Sequence, residues 1–169
     1  ADSDAATVCW QMAMENMDTP TALIFSRQNV KSLPEGTDYQ QTRKGAYIVT
    51  GSDEQFDVIL VASGSEVSTC VAGAELLRKD GVKVRVVSAP SEGLFRRQSK
   101  EYQEQILPRD AKIFGLTAGL PVTIEGLVGA NGKVFGLNSF GFSAPYTVLD
   151  EKLGFTPENV YKQVKEFLA

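Results

Sequence analysis

Apolar side chains recur at helical spacing near the start of the chain. The pattern predicts an amphipathic helix over residues 4–16, with Asp4 as its N-cap. Its apolar positions form two neighbouring stripes: Val8 with Met12, and Trp10 with Met14. Pro20 disfavours helix at the residue before it, and the continuous apolar run "TALIF" at residues 21–25 predicts a buried strand. Helix, turn and strand would form half of an alternating α/β unit.

From residue 43 onward, predicted strands and helices alternate regularly. Unbroken apolar runs predict strands at residues 45–51, 57–63, 82–90, 111–119 and 133–141. Helical patterns occur at residues 65–80 and 91–106, less regularly at 121–128, and in two closing helices. Strands that are apolar throughout are typical of a mostly parallel sheet with both faces covered. We therefore predict an α/β fold, a three-layer α/β/α sandwich around a mostly parallel (mixed) sheet of about five strands.

The last helix has three independent start signals. Thr156 suits the N-cap, Pro157 suits the first helical position, and Glu158 places a negative charge in the first turn. Its predicted buried stripe consists of Val160, Val164, Phe167 and Leu168.

Residues 31–42 contain proline, glycine and scattered charge without any period, which indicates an inter-domain linker. The chain would then consist of a helix and strand in residues 1–30, the linker, and a complete domain in residues 43–169. Because the chain starts without methionine and enters a helix almost at once, we expect it to be cut from a longer one.

The composition is that of a soluble globular protein, 43% apolar and 22% charged. A net charge of −4 without a stripe of basic residues argues against a nucleic-acid partner, and no apolar run is long enough to predict a membrane span. Cys9 and Cys70 lie at apolar positions and predict two buried, reduced thiols. With no histidine in the chain, neither a catalytic cysteine nor a metal site is predicted.

One candidate site is the turn formed by Ser63, Gly64 and Ser65, between a predicted strand and the next helix. Ligands bind at such turns in α/β sheets, and a helix N-terminus offers free N–H groups to an anion. The sequence matches neither the dinucleotide fingerprint nor a P-loop. A weak anion-binding loop and an ordinary turn capped by Ser65 and Glu66 therefore both stay open.

Arg27 is a second candidate, because its planar guanidinium at the end of a strand can bind phosphate through two parallel hydrogen bonds. A salt bridge within the linker is the alternative. The carboxylates of Glu66, Glu125 and Asp150 lie near predicted element ends, but no spacing forces a pair together, and we expect solvated surface acids. The glycine-rich residues 126–145 predict turns and close packing.

Several stretches of the chain resemble the transketolase family. Residues 20–29, "PTALIFSRQN", resemble the end of its pyrimidine-binding domain. Four further stretches resemble the family's C-terminal domain and follow in the expected order: "LVASGSEV", "GVKVRVVSAPSEGLFRRQSKEYQEQILP", "GANGKVFGLNSFGFSAP" and "GFTPENV". These matches disfavour two related families, the deoxyxylulose-phosphate synthases and the β chains of ketoacid dehydrogenases. Residues 1–30 would be the last helix and strand of the pyrimidine-binding domain, and residues 43–169 the transketolase C-terminal domain.

The resemblance implies an enzyme that transfers a two-carbon ketol unit between sugar phosphates in the pentose phosphate pathway. The complete enzyme would be a cytoplasmic homodimer that uses thiamine diphosphate with Mg²⁺ or Ca²⁺. The family's Gly-Asp-Gly metal motif does not occur in this sequence. We therefore expect no catalytic residue in these 169 residues, no bound cofactor and no activity of the chain alone.

One functional residue carries over from the family. Arg27, in "SRQN", matches the arginine that binds the terminal phosphate of the sugar substrate. Ser26 and Gln28 are members of the same motif and possible neighbours in the site. The alternative is a dimerisation or packing module, or a weak regulatory domain that binds a nucleotide or phosphate at "ASGSEV".

Overall fold

The computed structural model describes residues 2–51 and 55–169. Its described residues contain five strands: β1 Tyr47–Thr50, β2 Val58–Ala62, β3 Val84–Ser88, β4 Ile113–Leu116 and β5 Lys133–Phe135. They form one sheet with the order β1, β3, β2, β4, β5. β1 is antiparallel to β3, and the other neighbours are parallel. The predicted mixed, mostly parallel sheet is confirmed.

The predicted helices are present, with one division. The α-helices are α1 Ser3–Glu15, α2 Glu66–Lys79, α3 Glu92–Arg96, α4 Lys100–Ile106, α5 Val122–Val128, α6 Tyr146–Leu153 and α7 Pro157–Leu168. The single helix predicted over residues 91–106 is two helices, because the Ser99 side chain accepts a hydrogen bond from Tyr102 N–H and starts α4 anew. The N-cap of α1 is Asp2 and not Asp4, since the Asp2 carboxylate accepts from Ala5 N–H.

Helices cover both faces of the sheet, as a three-layer sandwich requires. On one face, Leu60, Val86 and Phe114 pack with the buried sides of α2 and α7. On the other face, Ile59 and Val61 pack with side chains from α3, α4 and α5. Both faces of β2 and β3 are buried along their whole length. This explains why β2 is apolar at every position and β3 at three of its five, with Arg85 and Ser88 buried among them.

The closing helix packs tightly on α2. Thr156 caps α7 by accepting from Asn159 N–H, and Pro157 occupies the first position, as predicted. Val160 and Val164 are buried, whereas Phe167 and Leu168 are only partly buried. A Cβ atom at Gly73 of α2 would lie 2.7 Å from Val160 Cγ1, so the close approach of the two helices requires glycine there.

The strand predicted at residues 21–25 is wrong. These residues form no strand, and Ile24 is 94% exposed. A strand needs a neighbour for its N–H and C=O groups, and none of the described strands pairs with this segment.

The region predicted as a linker is more structured than expected. A 3₁₀ helix spans Tyr39–Lys44 and crosses the expected boundary at residue 42, and Leu33 is buried in the core. The division into residues 1–30, 31–42 and 43–169 stays a prediction.

Of the two cysteines, Cys70 is buried as predicted, but Cys9 is partly exposed. Among the described residues, no helix is long and apolar enough to cross a membrane.

Candidate functional site

The two candidate sites of the sequence analysis lie beside each other. The Ser26 hydroxyl donates a hydrogen bond to Ser65 Oγ at 3.5 Å, and a Cβ atom at Gly64 would lie 3.9 Å from Ser26 Oγ. Ser65 follows the carboxyl end of β2, where ligands bind in parallel sheets. The "SRQN" stretch therefore contacts the turn that sequence reasoning treated separately.

A cavity of about 540 Å³ opens at this contact. Its walls come from α1, from the extended segment after it and from the turn after β2. The polar side chains that line it include Ser26, Gln28, Ser32 and Ser63. A second cavity, of about 510 Å³, is lined by residues of α2 and α6, and both Gln28 and Ser65 also line it. The segment that carries Arg27 thus contributes residues to two cavities.

Arg27 itself is exposed to solvent. In the described part of the chain, no hydrogen bond or ion pair holds its guanidinium. The predicted salt bridge within the linker is therefore not formed by the described residues. Within the described residues, all five N–H donors of the side chain are therefore available to an anion.

The carboxylate of Glu66 belongs to the first residue of α2, directly after the turn that follows β2. Burial raises its pKa and the nearby charge of Asp150 adds to the rise, while hydrogen bonds from the Ser65 hydroxyl and from Ala118 N–H oppose it. Ser65 Oγ donates to Glu66 Oε1 at 2.7 Å. The position that often receives a ligand anion in α/β sheets is therefore next to a carboxylate of the chain itself.

The expectation of three solvated surface acids is wrong for Glu66 and Asp150, which are both partly buried. Glu66 is partly buried and interacts electrostatically with Asp150, so the fold brings together two of the three candidate carboxylates. Burial also raises the pKa of Asp150. Glu125 is exposed on α5. Sequence spacing gave no signal for the pair, because 84 positions (150 − 66) separate the two residues.

Asp2 is a structural anchor that sequence reasoning missed. It is 5% exposed, and one carboxylate oxygen accepts from Leu33 N–H and from the Tyr39 hydroxyl, both at 2.8 Å. Burial alone would raise its pKa, but these hydrogen bonds and that from Ala5 N–H hold the pKa below its ordinary value. Asp2 thus ties the segment after "SRQN" to the start of α1.

The donor set in the described residues does not suit a metal ion. No group of three or more histidine, cysteine, aspartate or glutamate side chains in ranges 2–51 and 55–169 could hold one. The described residues therefore do not fit the metal ion that the resemblance implies for the complete enzyme.

Comparison with known proteins identifies the family. The family model described as "Transketolase-like TK C-terminal domain" matches residues 45–156. The chain belongs to the transketolase family. The transketolase of Staphylococcus epidermidis is 44% identical over 168 residues, which are 98% of this chain and 25% of that protein. The chain therefore spans about a quarter of the length of the curated relatives that it matches.

Solved transketolases share the fold. The structure from Pichia stipitis in complex with sedoheptulose 7-phosphate superposes with a TM-score of 0.91 and 32% identity, over 99% of this chain and 24% of that one. Transketolase from Leishmania mexicana gives a TM-score of 0.91 and 33% identity over the same shares. The likeness extends beyond the C-terminal domain to α1 and the "SRQN" segment, since almost the whole chain is covered.

Proposed function

We propose that these residues form the C-terminal part of a thiamine-diphosphate-dependent transketolase, which transfers a two-carbon ketol unit between ketose and aldose phosphates. The family membership and the likeness over nearly the whole chain support the proposal. The complete enzyme would act in the pentose phosphate pathway as a cytoplasmic homodimer. When bound, thiamine diphosphate would supply the carbanion chemistry, and Mg²⁺ or Ca²⁺ would hold its diphosphate.

In this proposal Arg27 binds the terminal phosphate of the sugar, with Ser26 and Gln28 as neighbours. The observation that carries it is the exposed guanidinium, which lacks a partner in the described residues, on a segment that contacts the carboxyl edge of the sheet. A related transketolase was solved with a sugar phosphate, sedoheptulose 7-phosphate. A phosphate bound far from the reacting carbonyl orients the substrate and supplies binding energy rather than chemistry.

The test is the variant Arg27→Ala in the complete transketolase chain, with Arg27→Lys beside it. Losing a charge-assisted, bidentate contact with the phosphate should raise the KM for a ketose phosphate about 10- to 100-fold. Lysine keeps the charge but not the planar fork, so Arg27→Lys should recover only part of the loss. The KM for the same ketose without its phosphate should stay unchanged in both variants.

The matched control is Arg97→Ala, which removes another exposed arginine, at the end of α3. It should leave the KM for both sugars unchanged. Equal effects of Arg27→Ala on the phosphorylated and unphosphorylated ketose would contradict the proposed role.

We also propose that these 169 residues alone bind no thiamine diphosphate, because their described donors do not form a metal site. Calorimetric titration of the chain with the cofactor and Mg²⁺ should give no saturable heat, and tight saturable binding would contradict this. The alternative role as a packing or regulatory module stays a prediction, as does anion binding at Ser63, Gly64 and Ser65.

A further inference from the structure

A chain of three oxygen atoms connects the Arg27 segment to the start of α2. The Ser26 hydroxyl donates to Ser65 Oγ at 3.5 Å, and the Ser65 hydroxyl donates to Glu66 Oε1 at 2.7 Å. Ser26 immediately precedes Arg27, while Ser65 precedes α2, whose apolar side is buried against the sheet. The contact therefore joins the residue next to an exposed arginine to one of the most firmly packed helices of the fold.

The direction of these hydrogen bonds is determined by the number of protons. A serine hydroxyl has one proton to donate, and that of Ser65 is used by the Glu66 carboxylate. Towards Ser26, the Ser65 oxygen can then only accept. Glu66 is itself partly buried, which restricts the position of the acceptor that faces Ser26.

A second anchor lies a few residues further along the same segment. Asp2 accepts from Leu33 N–H at 2.8 Å, and the Leu33 side chain is buried in the core. Residues 27–32 therefore bridge two attachment points, with Arg27 directly after the first. Without the Ser65 contact, the next hydrogen-bonded anchor along this segment in the described residues would be at Leu33.

We propose that Ser65 is a positioning residue for substrate phosphate: through Ser26 it holds Arg27 where the terminal phosphate of the sugar binds. This inference rests on the proposed function of Arg27. Ser65 itself need not touch the substrate, since its hydroxyl is already engaged with Glu66 and Ser26. Holding a flexible arginine in place lowers the entropy lost on binding and so improves affinity for the phosphate.

The test is Ser65→Ala in the complete transketolase chain, loaded with its cofactor and metal ion. The variant should fold, because the Ser65 side chain makes no capping hydrogen bond to α2. The matched control is Ser68→Ala, which removes a hydroxyl from the same helical turn. The Ser68 hydroxyl donates only to the backbone carbonyl of Ser65 among the hydrogen bonds described. Ser68→Ala should therefore leave the KM unchanged for the phosphorylated and for the unphosphorylated sugar.

Ser65→Ala should raise the KM for sedoheptulose 7-phosphate roughly two- to tenfold, the size of one lost hydrogen bond. The KM for unphosphorylated sedoheptulose and the kcat with either sugar should be unchanged. Ser65→Thr keeps the hydroxyl and should restore the KM for the phosphorylated sugar. In the double variant Arg27→Ala with Ser65→Ala, the KM should be no higher than with Arg27→Ala alone, because Ser65 acts through Arg27.

Three results would overturn the inference. If Arg27→Ala raises the KM for the phosphorylated sugar and Ser65→Ala does not, the role of Ser65 fails while the proposed role of Arg27 stands. If Ser65→Ala affects both sugars equally, or adds fully to Arg27→Ala, Ser65 acts on general structure or independently of Arg27. If Arg27→Ala does not distinguish the sugars, the proposed function of Arg27 fails, and the inference fails with it.

Discussion

Two apolar segments of similar composition have opposite surroundings in this molecule. Residues 58–62, "VILVA", form β2 at the centre of the sheet, where every side chain is buried. Residues 21–25, "TALIF", form no strand and expose Ile24 and Phe25 to solvent. The two segments differ in their neighbours rather than in their own apolar character.

β2 has hydrogen-bonded partners on both sides. It pairs with β3 on one side and β4 on the other, and helices cover both of its faces. Residues 21–25 have no such partners in the described structure, and the exposed ring of Phe25 stacks with the ring of Trp10, with 6.3 Å between their centroids. Strand formation thus depends on a neighbouring edge that the apolar run itself does not supply.

The largest expected effect is that of Ile59→Ala, in β2. Ile59 is fully buried, so its truncation removes transfer free energy and leaves a cavity. We expect the free energy of unfolding to fall by about 2–5 kcal/mol. Urea denaturation followed by circular dichroism measures it, and a loss below about 1 kcal/mol would contradict the close packing described for this face.

An intermediate effect is expected for Asp2→Asn, at the anchor of the exposed segment. An amide cannot replace a carboxylate that accepts from Ala5 N–H, Leu33 N–H and the Tyr39 hydroxyl. At neutral pH the free energy of unfolding should fall by about 1–3 kcal/mol. The exposed Asp4, in the first turn of α1, is the matched control, and Asp4→Asn should change stability by less than about 0.5 kcal/mol.

The difference in stability between the wild type and Asp2→Asn should depend on pH in a defined direction. Because the pKa of Asp2 is lowered in the folded state, the unfolded chain binds the proton first as the pH falls. The stabilisation by Asp2 is complete well above its ordinary pKa of about 4 and is lost as the pH falls through the lower, folded value. The stability gap between wild type and Asp2→Asn should therefore narrow in acid. A gap that widens below pH 4 would contradict the assigned hydrogen bonds.

The smallest effect is expected for Ile24→Ala, the same substitution as in β2 but in the exposed segment. With 94% of Ile24 exposed, its truncation should change the stability of the 169-residue chain by less than about 0.5 kcal/mol. The same denaturation experiment measures it. A loss comparable to that of Ile59→Ala would show that residues 21–25 are buried in solution and would remove the contrast between the two segments.

The regular part of the fold could be predicted because its signals are local. Each strand of the sheet lies within an apolar run found in the sequence, and the start of α7 follows from Thr156 and Pro157. The break between α3 and α4 was missed although Ser99 is a strong N-cap residue, because the helical pattern continues across it. The turn Ser63 to Ser65 was found as a candidate, but its contact with Ser26 was not.

The sequence by itself determined the family, the alternation of strands and helices from residue 43 onward, and the residue types able to bind a phosphate, since these depend on local pattern and on recognisable stretches such as "SRQN". Tertiary structure alone decided that residues 21–25 are not a strand and that Ser26 meets Ser65. It also decided that Glu66 lies near Asp150 and that Asp2 holds Leu33. The physical reason is that pairing, burial and electrostatic coupling arise between residues distant in sequence, and neither composition nor periodicity encodes which distant residues will be neighbours.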